Sequence, residues 1–157
     1  MGFSMSSLRM GRGPLVLVVG PKREGKSSIV NMLAGRDIAL TASDILPSHG
    51  PYQMHSIRWD DTFFGVCDTL GLDYNESPSI QEIKDLTRYL GGVGLVVYCM
   101  SARRLRKDDA KHVGSIYNAF CRADVPLVLV ITRLEGEKDM QSWWTKNEAE
   151  FASSIPG

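Results

Sequence analysis

Leu15-Val16-Leu17-Val18-Val19-Gly20-Pro21-Lys22-Arg23-Glu24-Gly25-Lys26-Ser27-Ser28 is the stretch on which the fold turns. Its first five residues are apolar without polar alternation, the pattern of a strand buried on both faces. Gly20 to Ser27 then fit G-x-x-x-x-G-K-[ST], with a helical pattern starting at their end. The two glycines permit backbone conformations in which successive N–H groups turn inward around phosphate oxygens. Lys26 supplies a flexible ammonium for the β- and γ-phosphates, and Ser27 a hydroxyl for Mg²⁺. The N-terminus of the following helix adds partial positive charge. A ligand-free Gly-rich turn is the alternative; a strand before and a helix after argue against it.

Phe63-Phe64-Gly65-Val66-Cys67-Asp68 is the expected partner of that loop, an apolar strand ending in a carboxylate able to help hold Mg²⁺. Asp68-Thr69-Leu70-Gly71 extends it to D-x-x-G. There the Gly71 N–H can sense a γ-phosphate, which makes residues 69–79 a candidate switch, against the plainer reading of a turn after a strand. Tyr52 to Trp59 and Phe63 to Cys67, separated by a turn at Asp60-Asp61, predict a hairpin.

Outside these stretches, strands alternate with amphipathic helices. Ile29, Met32 and Leu33 mark a helix stopped by Gly35, and Ile80, Ile83, Leu86, Tyr89 and Leu90 one ended by Gly91-Gly92. Val93 to Met100 and Pro126 to Ile131 predict buried strands. Lys107 to Cys121 and Lys138 to Phe151 predict helices, the latter with one of Trp143 and Trp144 in the core and the other at a surface. The alternation predicts an α/β fold with a mostly parallel sheet, one antiparallel hairpin strand and helices on both faces.

A chain of 157 residues with 43% hydrophobic content fits one packed domain, preceded by a loose arm over residues 1–12. Its 18 Lys+Arg balance 18 Asp+Glu; a general nucleic-acid binder needs surplus cations, so no nucleic acid is expected. Cys67, Cys99 and Cys121 form no disulfide framework and no zinc pattern, which fits a cytoplasmic setting. Met1-Gly2-Phe3-Ser4-Met5-Ser6 matches the M-G-x-x-x-[ST] myristoylation pattern with an unfavourable Phe3. Peripheral membrane contact therefore stays open beside an unmodified start.

Gly20 to Ser28, an aperiodic segment over 36–50, a hairpin and Asp68-Thr69-Leu70-Gly71-Leu72 together resemble the translation-factor-related class of P-loop GTPases. Within it the chain resembles the septin-like group of immunity-associated GTPases and chloroplast import receptors, through G-K-S-S, D-T-x-G-L and Ile131-Thr132-Arg133-Leu134-Glu135. The resemblance implies a three-layer G domain that binds GTP or GDP with Mg²⁺. Gly20, Pro21, Lys22, Arg23, Glu24, Gly25, Lys26, Ser27 and Ser28 fall on its phosphate site, and Gly71 on its γ-phosphate sensor. Lys26 and Gly71 are the candidate catalytic groups; Ser27, Asp68 and Thr41 are the candidate metal ligands, with Ser48 a rival to Thr41. Thr132, Arg133 and Glu135 fall on the base-reading motif, usually N/T-K-x-D, with Arg133 able to stack its guanidinium on a base.

Leu72 stands where many small GTPases carry a Gln that orients the attacking water, which implies slow hydrolysis aided by a dimer or partner. A non-hydrolysing scaffold and an ATP-handling enzyme are the alternatives. A second copy or an effector protein is expected at the switch regions or at an open sheet edge. The family comparison also implies that residues 13–157 lack the last strand and helix of a G domain, leaving the strand at 126–131 on that edge. Lys22 and Arg23 read as exposed charges beside an anionic site, or as a substitute arginine finger. The basic run Arg103 to Lys107 reads as a solvated connection, or as a contact for acidic lipid or a partner.

Overall fold

The computed structural model describes residues 15–38, 52–69, 71, 79–102, 106, 108–121 and 124–155. In chain order the elements are β1 (Leu15–Val19), α1 (Lys26–Ala34), β2 (Tyr52–Trp59), β3 (Thr62–Thr69) and α2 (Ile80–Tyr89). They continue with β4 (Leu95–Ser101), α3 (Asp109–Ile116), β5 (Leu127–Thr132) and α4 (Met140–Ala152). One sheet runs β2-β3-β1-β4-β5. β1 pairs in parallel with both β3 and β4, β4 pairs in parallel with β5, and β2 is the one antiparallel strand among the described residues. This is the α/β architecture expected from the alternation of the sequence.

The sheet buries both faces. Val16, Val18, Val66, Val97 and Ile57 meet Val30 of α1 on one side. Leu17, Val19, Val96 and Tyr98 meet Ile83 of α2, Val113 and Ile116 of α3, and Trp143 and Phe151 of α4 on the other. Adjacent residues of β1 feed opposite cores, which is why its sequence has no polar alternation. Full burial of each such Val or Leu is worth roughly 1.5–3 kcal/mol.

The hairpin turns on Asp60-Asp61, with Asp60 in the left-handed region at φ 54°. A short polar residue tolerates that conformation better than a branched one. Arg58 fastens the turn through Nε to Asp60 O at 2.9 Å and Nη2 to Asp61 Oδ1 at 3.2 Å.

Several expectations need correction. Met32 is 69% exposed, and Val30 takes the core position on α1. Tyr89 is 73% exposed; Thr87 lies inside instead, its Oγ1 donating to Lys84 O so that the hydroxyl is satisfied within the helix. Trp144 is no free surface: it stacks on Phe151 at 5.8 Å and packs beside Trp143 on the same core. The 107–121 helix starts only at Asp109 and finishes in a π-wound turn over Tyr117–Cys121. Each strand after the hairpin also begins and ends a residue or two later than its apolar run.

β5 bonds to β4 alone among the described residues and leaves Val128 45% exposed. No helix among the described residues is long and apolar enough to cross a membrane.

Candidate functional site

β1 lies between β3 and β4, so the chain leaves it toward both sides and opens a crevice at the carboxyl ends of the parallel strands. The Gly20–Ser27 loop occupies that crevice. Gly20 has φ 142°, and a Cβ there would lie 2.1 Å from Cys99 O, so only glycine lets β1 end this close to β4. Gly25 caps α1 at φ 91°. The helix has no side-chain cap and no acidic residue in its first turn, so the loop end keeps its donors and positive dipole for an anion. Lys26 is buried, and its Nζ donates to Pro21 O at 2.6 Å, placing the ammonium across the loop.

Ser27 and Asp68 meet across the crevice: Ser27 Oγ donates to Asp68 Oδ2 at 2.9 Å. Asp68 is 1% exposed, and its Oδ1 has no hydrogen-bond partner. Burial pushes its carboxyl up to about 6, against the Ser27 hydrogen bond and the Lys26 charge, which pull it down. Thr69 Oγ1 donates to Val18 O at 3.0 Å and pins the end of β3 to β1. Gly71, at φ 119°, lies so close to the loop that a Cβ would fall 3.0 Å from Lys22 N and 2.4 Å from Lys22 Cγ. The two motifs recognised in the sequence are therefore in contact. Burial holds the neighbouring Cys67 and Cys99 thiols up at about 12, so neither supplies a thiolate.

From the other side β5 grips the loop. Thr132 Oγ1 lies 3.1 Å from Glu24 O and 3.2 Å from Met100 O and shares its proton between them. Arg133, in the left-handed region at φ 59°, donates Nη2 to Arg23 O at 2.9 Å. These two residues brace the loop, a duty that their sequence position did not announce. Glu135 is exposed in the turn that follows.

Lys22 and Arg23 are exposed, as expected. The Glu24 side chain turns inward instead: it is 3% exposed, its Oε2 has no hydrogen-bond partner, and it lines a small cavity with Ser101 and Asp109. Glu24 thus serves the loop through its backbone. Thr41, Ser48, Leu70 and Leu72 lie outside the described residues.

Two hard oxygen donors side by side, one carboxylate oxygen buried without a partner, form a donor set that suits Mg²⁺. With the phosphate-type loop and the uncapped helix at the rim of a parallel sheet, this is the site of a P-loop nucleotide-binding domain.

No family model matches the chain. A GTPase Der from Latilactobacillus sakei is 24% identical over 144 residues, covering 91% of this chain and 32% of that protein. A GTPase Der from Campylobacter concisus is 29% identical over 129 residues, covering 82% and 27%. The chain therefore spans about a third of the length of these curated relatives. Among solved structures, Toc33 from Arabidopsis thaliana in complex with GDP and Mg²⁺ superposes with a TM-score of 0.66 at 21% identity, covering 98% of this chain and 65% of that one. Era in complex with MgGDPNP and a fragment of 16S ribosomal RNA gives a TM-score of 0.60 at 17% identity, covering 91% and 48%. The chain has the fold of a P-loop GTPase G domain and is similar in sequence to GTPase Der.

Proposed function

We propose that this chain is a guanine-nucleotide switch that binds GTP and GDP with Mg²⁺ and hydrolyses GTP slowly to GDP and phosphate. The observation that carries the reading is the Ser27–Asp68 pair, with an unpartnered buried carboxylate oxygen, beside a loop already threaded by Lys26. Der and the GDP-bound and MgGDPNP-bound neighbours support guanine as the base. The Toc33 neighbours support the septin-like reading.

Each residue then has a defined task. A phosphate oxygen offers Lys26 a charged acceptor in place of the neutral Pro21 carbonyl, a stronger hydrogen bond that draws the ammonium to the ligand. The Gly20–Gly25 backbone and the α1 N-terminus receive the remaining phosphate charge. Ser27 and Asp68 would hold Mg²⁺, which neutralises charge developing on the transferred phosphoryl group when bound. Gly71, packed on Lys22, moves with the loop and reports the terminal phosphate. Arg133 keeps its guanidinium plane beside the loop, where a base can stack, and Glu135 accepts from guanine N–H groups.

Leucine at position 72 offers no hydrogen bond to an attacking water, hence slow turnover. Dimerization is important for the GTPase activity of atToc33 and psToc159, and a second copy of this chain is the proposed activator here. Zero net charge gives no reason to extend Era's RNA ligand to it.

The test is a titration of GTP, GDP and ATP with and without Mg²⁺, with phosphate release followed over a range of protein concentrations. GTP and GDP bind more tightly than ATP, Mg²⁺ strengthens both, and turnover per molecule rises with concentration. Preference for ATP overturns the guanine reading, and tight GTP binding without release makes the chain a scaffold. Normal nucleotide binding by Lys26→Ala removes the phosphate-loop assignment itself.

A further inference from the structure

Gln53, on the hairpin's outer strand, stands directly opposite Asp68 in the β2–β3 register. Directly opposite residues of an antiparallel pair point to the same face, with Cβ atoms about 4.5–5.5 Å apart. The face is fixed from both strands. Ile57 on β2 and Val66 on β3 belong to the core under α1, and Asp68 reaches Ser27 on α1 itself. Residues 53, 55 and 57 alternate with the rest of β2, so Gln53 belongs to that face too. A half-buried Gln and a half-buried His55 thus precede Ile57 on a surface that is otherwise aliphatic. An amide placed there matches the chemistry of its cross-strand neighbour: Asp68 has one oxygen on Ser27 and the other, Oδ1, buried without a hydrogen bond.

We propose that Gln53 positions Asp68 for the metal, its side-chain amide reaching Oδ1 through one bridging water. The inference rests on the reading of Asp68 as the metal-side carboxylate. A carboxylate oxygen carries two lone pairs, so Oδ1 can accept the bridging water's O–H and still face a cation. The amide thereby fixes the carboxylate's rotation about Cβ–Cγ, which the Ser27 hydroxyl alone leaves free to tilt. It also stabilises the ionised form that a cation needs. Gln53 touches neither nucleotide nor metal, so it is a positioning residue.

Gln53→Met keeps length and volume and removes the N–H, whereas Gln53→Asn keeps the amide at shorter reach. In Gln53→Met the Mg²⁺ concentration that half-slows GDP release rises about fivefold or more, while GDP affinity in EDTA stays within twofold of wild type. Gln53→Asn stays closer to wild type than Gln53→Met does. Equal Mg²⁺ response in Gln53→Met and wild type overturns the proposal, as does a loss of the same size with and without Mg²⁺, which marks plain packing.

Wild-type GDP release that ignores Mg²⁺ sinks the metal reading, whereas a normal wild-type Mg²⁺ response that Gln53→Met leaves unchanged sinks the role of Gln53 alone.

Discussion

Asp68 shows what burial of a single carboxylate costs the folded chain. Its carboxyl ionises at about 6 rather than 3.8 in the folded chain, chiefly because burial disfavours the charge. A folded-state acid with a raised pKa holds its proton more tightly than the unfolded chain does. Its contribution is therefore most favourable below about pH 4, shrinks as pH rises from about 4 to 6, and levels off above that. A shift of about two units corresponds to on the order of 3 kcal/mol. His55, whose pKa is lowered by burial, pushes the other way on acidification, so wild type must be compared with Asp68→Asn. In urea melts with EDTA, Asp68→Asn gains on wild type steadily between pH 4 and 6 and is the more stable protein at pH 7. It also loses the Mg²⁺ response of nucleotide binding. A difference that does not vary with pH would mean that Asp68 ionises as it would in water.

The helices divide by how they begin. α2 starts with a capping box in which Ser79 accepts from Glu82 N and Glu82 Oε2 accepts from Ser79 N, and Asp139 caps α4 by accepting from Gln141 N. α1 alone among these three starts on a glycine, with no side chain capping it. Ser28→Asp, at the exposed third position of α1, therefore has opposite effects on two measurements. It raises apo-protein stability by about 0.3–1 kcal/mol through the helix dipole, and it weakens GDP binding about tenfold or more by repelling phosphate. A variant that changes neither would show that the α1 N-terminus holds no anion.

Element by element, legibility follows a physical divide. The apolar run at Leu15 to Val19, the Gly20–Ser27 loop and the hairpin were readable because each rests on local chemistry: unbroken burial, glycine conformations and a polar turn. The phase of α1 was not. Periodicity marks a helix but leaves its rotation to tertiary contacts, and Val30 rather than Met32 meets the sheet. The inward turn of Glu24 and the hold of Thr132 on its carbonyl lay equally out of reach, because they join positions 108 residues apart.

At the scale of the whole molecule, that hold ties the site to the sheet's margin. β5 bonds to one neighbour among the described residues and exposes Val128, so it has the least intrinsic protection of the parallel strands. Yet its last residue, Thr132, and the Arg133 that follows hold the carbonyls of Glu24 and Arg23 in the phosphate loop. A ligand that binds only the native state at a hundredfold excess over Kd adds about 2.7 kcal/mol to every opening that breaks the site, or roughly a hundredfold slower exchange. Because opening β5 releases the loop, β5 amides share that gain. Hydrogen exchange with GDP and Mg²⁺ should slow β1, β3 and β5 alike. Thr132→Val keeps the shape and removes the shared proton, so β5 slowing drops below about tenfold while β1, which carries the loop in its own chain direction, keeps most of its protection. Unchanged β5 exchange in wild type on adding GDP would show that the edge strand opens without disturbing the loop, and that the two Thr132 contacts serve the sheet alone.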